Sequence, residues 1–160
     1  MTTAVYPGSF DPVHLGHLDV IERAARVFET VIIAVARNAE KSALFTVEER
    51  MEMLRAATGH LRGVTVDSYE GLTVEYATAR GARVLVKGLR AIGDFEYELK
   101  QAVMNQRLRP DLDTVFFMTA PAYFFLSSSL IREVARLGGE VAGLVPAGLE
   151  SRIRAKVRRR

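Results

Sequence analysis

The run Val31-Ile32-Ile33-Ala34-Val35 decides the fold class of this chain. Its five consecutive apolar residues, four of them β-branched, predict a strand rather than one face of a helix. Because successive side chains of a strand point to opposite faces, both faces of this strand must be covered. The run Val84-Leu85-Val86 has the same character. Such strands are typical of parallel sheets that lie between two layers of helices.

Around these two runs, β-branched segments alternate with segments of helical periodicity. We predict strands at residues 3–6, 30–36, 64–66, 83–87 and 114–118. Helices are predicted at residues 15–28, 47–58, 72–79 and 92–108, followed by two C-terminal helices at 129–137 and 147–156. This alternation predicts an α/β fold: a single Rossmann-like domain over residues 1–160, with a doubly wound five-stranded parallel sheet and C-terminal helices.

Composition excludes several classes of protein. The chain has 160 residues, of which 49% are hydrophobic and 26% charged, as expected of one domain with a core. It contains no cysteine, which excludes thiolate catalysis, disulfides and cysteine-ligated metal. The N-terminus lacks a signal-peptide pattern and no apolar run approaches roughly 18 residues, so we expect a cytoplasmic protein without a membrane partner. Six basic side chains fall within residues 150–160, where we expect a solvated helix end. The rest of the chain has no basic stripe, so we expect no nucleic-acid partner.

The segment Pro7 to His17 follows the first predicted strand and opens a helix. Free backbone N–H groups and the positive end of the helix dipole favour a phosphate there, Gly16 leaves room for it, and His17 is able to donate to a phosphoryl oxygen. Neither of the common glycine-rich phosphate motifs occurs in the chain. Two alternatives remain open: His14 and His17 as metal ligands, or His17 as a packed core residue.

Two further loops at strand ends suit a phosphate, those after the fourth and fifth strands, and the loop after the second strand offers one lysine, a residue that is usually solvated in a loop. Lys41 follows the second strand, and Lys87-Gly88-Leu89-Arg90 places two cations at the end of the fourth. The run Tyr123 to Ser129 follows the fifth strand with aromatic residues and then three serines at a helix start. The alternatives are salt bridges from Lys87 and Arg90 to the acidic residues after them, and serines that serve only as helix caps.

Gly8-Ser9-Phe10-Asp11-Pro12-x-His14-x-Gly16-His17 resembles the T/H-x-G-H signature of the nucleotidylyltransferase superfamily. Further segments resemble, in order, the bacterial phosphopantetheine adenylyltransferases. These segments are Lys41, Phe45-Thr46-x-Glu48-Glu49-Arg50, Lys87 to Arg90 with Asp94 to Glu98, Asn105, and Ser127-Ser128-Ser129-Leu130-x-x-Glu133. The resemblance implies adenylyl transfer from ATP to 4′-phosphopantetheine, which gives dephospho-coenzyme A and pyrophosphate in coenzyme A biosynthesis. It also implies Mg²⁺ held mainly by the ATP phosphates with no protein metal ligand, a homohexamer, and coenzyme A as a feedback ligand.

The resemblance also implies roles for individual residues. Catalysis is expected of His17, Lys41 and Arg90, and binding of the phosphopantetheine substrate of Ser9, Lys41, Thr73 and Lys87. ATP binding is expected of Ser9, Phe10, His17, Gly88, Leu89, Arg90, Glu98, Tyr123, Phe124, Phe125, Leu126, Ser127, Ser128 and Ser129. Two positions depart from many members of the family, which have Thr in place of Ser9 and Arg in place of Lys87. Lys87 keeps the charge of an arginine but lacks its planar fork.

Two other functions compete with this interpretation. One is a different small nucleotidylyltransferase that uses CTP, or that acts on nicotinamide mononucleotide or glycerol phosphate. The other is a non-catalytic nucleotide- or RNA-binding module that uses the basic residues 158–160. Nucleotide preference separates the first alternative from adenylyl transfer, and deletion of the basic tail separates the second.

Overall fold

A computed structural model describes residues 2–37 and 42–158, with the backbone alone at Ile92. Within these residues the strands are β1 (Thr3–Gly8), β2 (Thr30–Ala36), β3 (Val64–Tyr69), β4 (Val84–Leu89) and β5 (Asp113–Met118). The helices are α1 (Leu15–Val27), α2 (Val47–Thr58), α3 (Thr73–Ala79), α4 (Ile92–Leu108), α5 (Ser128–Arg136) and α6 (Leu149–Arg158). A short 3₁₀ turn, Pro121–Tyr123, lies between β5 and α5.

All five strands are parallel and lie in the order β3-β2-β1-β4-β5. The chain builds the sheet outward from β1 to β3 and then returns to the other side of β1 to place β4. The strand order therefore reverses between β1 and β4, where Ala4 pairs with Val84 and Val5 with Leu85. In open α/β sheets a ligand binds beyond the carboxyl ends of the strands at such a reversal. The predicted α/β class and five-stranded parallel sheet are confirmed.

Alternate residues of the central strands enter two separate cores. Val31 and Ile33 belong to a large cluster that also holds buried residues of α1, α2, α5 and α6. Ile32 and Ala34 belong to a smaller cluster with Val74 and Ala77 of α3. The consecutive apolar run of β2 is thus buried on both faces, as its sequence predicts.

Three strands extend beyond the predicted ends. β1 continues through Gly8, β3 through Tyr69 and β4 through Leu89. The added segments contain residues of low strand propensity, such as Gly8, Asp67 and Gly88. Each segment nevertheless ends on a residue paired in parallel register: Gly8 with Val35, Tyr69 with Ala36, and Leu89 with Met118. Pairing within the sheet overrides weak strand propensity here. Gly88 and Leu89 consequently belong to strand β4, together with the predicted strand residue Lys87, and not to the loop after it.

Helix α6 is docked on the domain, and its basic residues are paired in part with α2. Leu149 and Ile153 are buried in the large core. Arg152 lies 3.3 Å from Glu52, and Lys156 lies 2.7 Å from Glu49. The helix end is therefore solvated at Arg154 and Arg158, which are exposed, whereas Arg152 and Lys156 are partly buried and paired with α2. None of the helices in the described part of the chain is both long and apolar enough to cross a membrane.

Replacing Ile153 with alanine tests this docking. The side chain is 0% exposed, so Ile153→Ala leaves a cavity against the large core. We expect the free energy of unfolding to fall by about 2–5 kcal/mol in urea denaturation. The control is Arg154→Ala at the neighbouring, exposed position, which should change it by less than about 0.5 kcal/mol. Equal values for the two variants would contradict the packing described for α6.

Candidate active site

A cavity of about 440 Å³ opens at the carboxyl ends of β1 and β4, where the strand order reverses. It brings together ten of the predicted site residues from four separate segments: Ser9, Phe10, His17, Lys87, Gly88, Arg90, Glu98, Ser127, Ser128 and Ser129. Parallel strands end at the same edge of a sheet, which is why residues distant in sequence meet here. Lys41, a predicted catalytic and substrate-binding residue, lies outside the described residues.

His14 and His17 cap the N-terminus of α1 reciprocally. The backbone N–H of His17 donates to His14 Nδ1 at 3.3 Å, and the backbone N–H of His14 donates to His17 Nδ1 at 3.1 Å. The two rings are stacked with their centroids 3.6 Å apart. A Cβ atom at Gly16 would lie 2.9 Å from the His14 ring, so this arrangement requires glycine between the histidines. The predicted need for Gly16 therefore has a second physical reason besides space for phosphate.

Both histidines are neutral at physiological pH. Burial lowers the pKa of His14 to about 3, with the positive charge of Arg90 as a further cause. Burial also holds the pKa of His17 well below its usual value, followed by the effects of His14 and Arg90. Because Nδ1 of His17 accepts a hydrogen bond, its proton resides on Nε2. His17 thus offers the cavity a neutral N–H donor.

Phe10 packs against the ring of His17. Its side chain is 2% exposed, and its ring centroid lies 4.9 Å from that of His17 in an edge contact. The backbone of Phe10 has a φ of 49°, in the left-handed region that is costly for a bulky residue. A Cβ atom at Gly8 would come within 3.0 Å of the Phe10 ring. Strained backbone and tight packing together fix the position of this ring at the cavity.

The two cations of β4 and its end are paired with carboxylates of α4. Lys87 Nζ lies 3.4 Å from Glu98 Oε2, and Arg90 Nε lies 3.3 Å from Asp94 Oδ2. Arg90 also donates to the backbone carbonyl of Leu126. The alternative of salt bridges is therefore realised for both cations, yet all four side chains are partly exposed and three of them line the cavity. Glu98 Oε2 is itself buried and accepts no hydrogen bond within the described residues, so its polar contact there is the ion pair with Lys87.

The serine segment closes the cavity from the far side. Ser127 caps α5 by accepting the N–H of Leu130 at 3.1 Å, and Ser128 Oγ donates to the carbonyl of Pro12 at 2.8 Å. The serine segment therefore both caps α5 and lines the cavity. The cap leaves the first N–H groups of α5 without partners inside the helix, which favours an anion.

Arg132 lines the same cavity and was missed by the sequence analysis. Its Nη1 donates to the carbonyl of Asp11 at 2.6 Å and lies 3.8 Å from Asp11 Oδ2. The sequence signal that could have identified Arg132 is its position four residues after Ser128, because residues at that spacing share one face of a helix.

A second cavity of about 500 Å³ adjoins the first and shares Pro7, Ser9, Lys87 and Glu98 with it. Thr73, a predicted substrate-binding residue, lines this cavity, and its hydroxyl is 2.8 Å from that of Tyr69. The other wall is one face of α4, formed by Tyr97, Gln101, Met104, Asn105 and Leu108. Of these, only Tyr97 and Asn105 belong to the motifs quoted from the sequence.

Several predicted ATP-binding residues do not line the first cavity. Leu89 and Leu126 are buried at 8% and 0% exposure, and Leu126 contributes its carbonyl to Arg90. Phe124 and Phe125 are exposed, at 51% and 54%. The Tyr123 Cβ lies 3.7 Å from the position that a Cβ on Gly16 would take, and Gly16 lines the cavity. Among the residues described, no group of three or more His, Cys, Asp or Glu side chains is arranged to hold a metal ion.

The buried histidine pair predicts a specific dependence of stability on pH. A histidine in the unfolded chain has a pKa near 6.5, whereas the folded pKa of His14 is about 3. Below pH 6.5 the unfolded state therefore binds more protons, and the free energy of unfolding decreases as the pH falls. His14→Asn keeps a good helix cap but removes this titration. We expect the loss of stability between pH 7 and pH 5 to be smaller by about 2 kcal/mol in the variant. Identical losses in urea denaturation would show that His14 is not buried in the neutral form.

Comparison with known proteins places this geometry in a family. The cytidylyltransferase-like family model matches residues 5–134. A phosphopantetheine adenylyltransferase from Thermosynechococcus vestitus is 55% identical over 95% of this chain and 90% of its own length. Another, from Desulforudis audaxviator, is 53% identical over 98% of this chain and 96% of its own length.

A solved structure from Vibrio parahaemolyticus, named as a nicotinate-nucleotide adenylyltransferase, has the same fold. It aligns with a TM-score of 0.70 at 17% identity and covers 96% of this chain and 99% of its own. At that identity the likeness concerns the fold alone. The sequence relatives, which match nearly end to end at more than half of the aligned positions, carry the assignment: the chain belongs to the phosphopantetheine adenylyltransferases, nucleotidyltransferase enzymes within the cytidylyltransferase-like family.

Proposed function

We propose that this protein transfers the adenylyl group of ATP to 4′-phosphopantetheine, giving dephospho-coenzyme A and pyrophosphate in cytoplasmic coenzyme A biosynthesis. One observation carries the proposal: two adjoining cavities share Pro7, Ser9, Lys87 and Glu98. The first has the histidine donor, the cations and the helix N-termini that a triphosphate requires. The second, lined by α3 and one face of α4, has mixed apolar and amide side chains that suit the pantetheine arm. The acceptor phosphate then enters at the junction.

The acceptor phosphate needs no general base. A phosphate monoester is already ionised near neutral pH, so its oxygen attacks the α-phosphorus of ATP directly and pyrophosphate leaves on the opposite side. Catalysis then depends on placing the two groups in line and on stabilising the charge of the transition state. Lys87, with Lys41, holds the acceptor phosphate. The Nε2–H of His17 and the N-terminus of α1 stabilise the oxygens of the α-phosphate, and no covalent intermediate forms.

Arg90, Arg132 and the N-terminus of α5 are positioned to bind the departing pyrophosphate. When the phosphates displace Asp94 and Glu98, the cations exchange one anionic partner for another, which limits the cost of bringing them together before ATP binds. Mg²⁺, carried in by the ATP phosphates, supplies charge neutralisation. Among the described residues that line the first cavity, Glu98 is the one carboxylate that such an ion would meet, beside the cations Lys87, Arg90 and Arg132 that face the phosphates.

The central role of His17 is tested by replacing it. We expect His17→Ala to lower kcat for pyrophosphate release by on the order of 10²–10³, because a preorganised donor to the transition state is lost. The matched control is His60→Ala, since His60 is exposed and its ion pair within the described residues, to Glu22, is 4.0 Å long. Near-normal turnover in His17→Ala would refute the assignment.

The reaction itself is tested by pairing substrates. Pyrophosphate release is measured with ATP or CTP, and with 4′-phosphopantetheine, nicotinamide mononucleotide or glycerol phosphate as acceptor. Release with ATP and 4′-phosphopantetheine alone supports the proposal. Release with another pair would assign a different nucleotidylyl transfer to the same site. The absence of release with every pair, together with RNA binding that is lost on deletion of residues 158–160, would favour the binding module.

The protein is further proposed to form a homohexamer. An apolar stripe on α4, made of Phe95, Leu99 and Val103 at helical spacing, is 46%, 42% and 60% exposed, and it faces away from the second cavity. Contiguous exposed apolar side chains of this kind are typical of interfaces between protein chains. Coenzyme A, which carries both a pantetheine arm and an adenine nucleotide, is proposed to bind across both cavities as a feedback ligand.

The hexamer is tested at the α4 stripe. We expect light scattering to give a mass six times that of the chain for the parent protein. Val103→Glu places a charge on the stripe and should give smaller species, whereas Lys100→Glu puts the same charge at a polar, exposed position and should leave the mass unchanged. A monomeric parent protein at micromolar concentration would exclude the hexamer.

A further inference from the structure

We infer that Asp11 and Arg50 are positioning residues that together hold the segment Leu44–Thr46, just after Lys41, against the loop that carries Ser9. The inference rests on the proposed function in one respect: Ser9 and Lys41 are there assigned to the acceptor phosphate. Both charged side chains are buried, at 0% and 4% exposure, and neither has a part in the chemistry proposed above.

Asp11 binds the N–H groups of this segment. Its Oδ2 accepts the N–H of Leu44 at 2.7 Å, and its Oδ1 accepts the N–H of Phe45 at 2.8 Å. Asp11 belongs to the loop after β1, two residues beyond Ser9, whereas Leu44 and Phe45 belong to the loop after β2. A carboxylate that uses both oxygens on two consecutive N–H groups fixes the distance and the orientation between the loops.

Arg50 binds the carbonyl groups of the same segment. From the first turn of α2, its Nε donates to the carbonyl of Phe45 at 3.1 Å and to that of Thr46 at 3.3 Å. Its Nη1 donates to the carbonyl of Ser9 at 2.9 Å. The planar guanidinium therefore bridges the two loops through their backbones. These three carbonyl groups accept the side-chain hydrogen bonds of Arg50.

The two bridges are complementary. Asp11 binds the N–H groups of the segment, and Arg50 binds its carbonyl groups. A shift of either loop therefore breaks charge-assisted hydrogen bonds to both side chains. When a bridge opens, its buried polar groups lose their hydrogen-bond partners without gaining contact with water, which is costly. The position of Ser9 relative to the segment after Lys41 is therefore set by side chains that line neither cavity.

Hydrogen exchange tests the coupling without reference to activity. Arg50→Met removes the donors to Ser9, Phe45 and Thr46 but touches no N–H group of Leu44 or Phe45. If the bridges act together, exchange at these two amides should accelerate at least about tenfold, although their own acceptor, Asp11, is still present. Arg55→Met, at an exposed position of the same helix, should leave it unchanged, and the amides of β2 report that each variant is folded. Unchanged exchange at Leu44 and Phe45 in Arg50→Met would overturn the inference.

Steady-state kinetics separates positioning from simple stabilisation. A purely structural role would lower the amount of active enzyme and leave KM unchanged. Positioning predicts that KM for 4′-phosphopantetheine rises, with a loss in kcat/KM on the order of 10–100-fold. Arg50→Lys keeps the charge but not the fork and should recover only part of it, and Asp11→Asn should raise the same KM. Unchanged KM values in all three variants would overturn the inference.

The two proposals fail in distinguishable ways. If the parent protein releases no pyrophosphate from ATP and 4′-phosphopantetheine, the proposed function fails. The coupling of the two loops is then decided by the exchange at Leu44 and Phe45 alone.

Discussion

The pairing of β1 with β2 on one side and β4 on the other is the constraint on which the site depends. Because β1 is central and the strand order reverses beside it, the segments after β1 and β4 emerge together at one edge of the sheet. The segment after β1 forms the reciprocal cap of α1, and the end of β4 supplies Lys87 to Arg90. A different strand order would separate His17 from these cations, whatever the local sequence.

Local sequence predicted the elements but not the contacts that tie them together. The strands were recognisable because runs such as Val31 to Val35 are buried on both faces, and the loops at their ends followed from the parallel arrangement. The extension of β4 through Gly88 and Leu89 was not predicted, since Gly88 has weak strand propensity and both residues are held in the strand by pairing with β5. Arg132 and the bridges of Asp11 and Arg50 were missed because their partners are distant in sequence, and a buried arginine has no local signature.

The electrostatics of the site divide the work between charge and hydrogen bonding. A protonated histidine at the N-terminus of α1 would oppose the helix dipole and face Arg90, and burial removes that charge by lowering the pKa of both His14 and His17. Positive charge is provided instead by Lys87, Arg90 and Arg132, each near a carboxylate before a ligand arrives. His17 therefore contributes a fixed donor that is neutral at physiological pH, because burial holds its pKa well below the usual value.

Precision in such a site must come from parts that do not move when the phosphates bind. Lys87 lies on a paired strand, and the serines lie at the capped start of α5. His17 lies at a helix end whose cap requires glycine at position 16. Ser9 lies on an irregular loop, which lacks the regular backbone pairing that fixes a strand or a helix. Buried side chains that bond the backbone can replace that pairing, and Asp11 and Arg50 do so for the Ser9 loop and the segment Leu44–Thr46. An ionic bridge rather than an apolar contact suits this place, because the groups to be held are backbone N–H and carbonyl groups that need partners when buried.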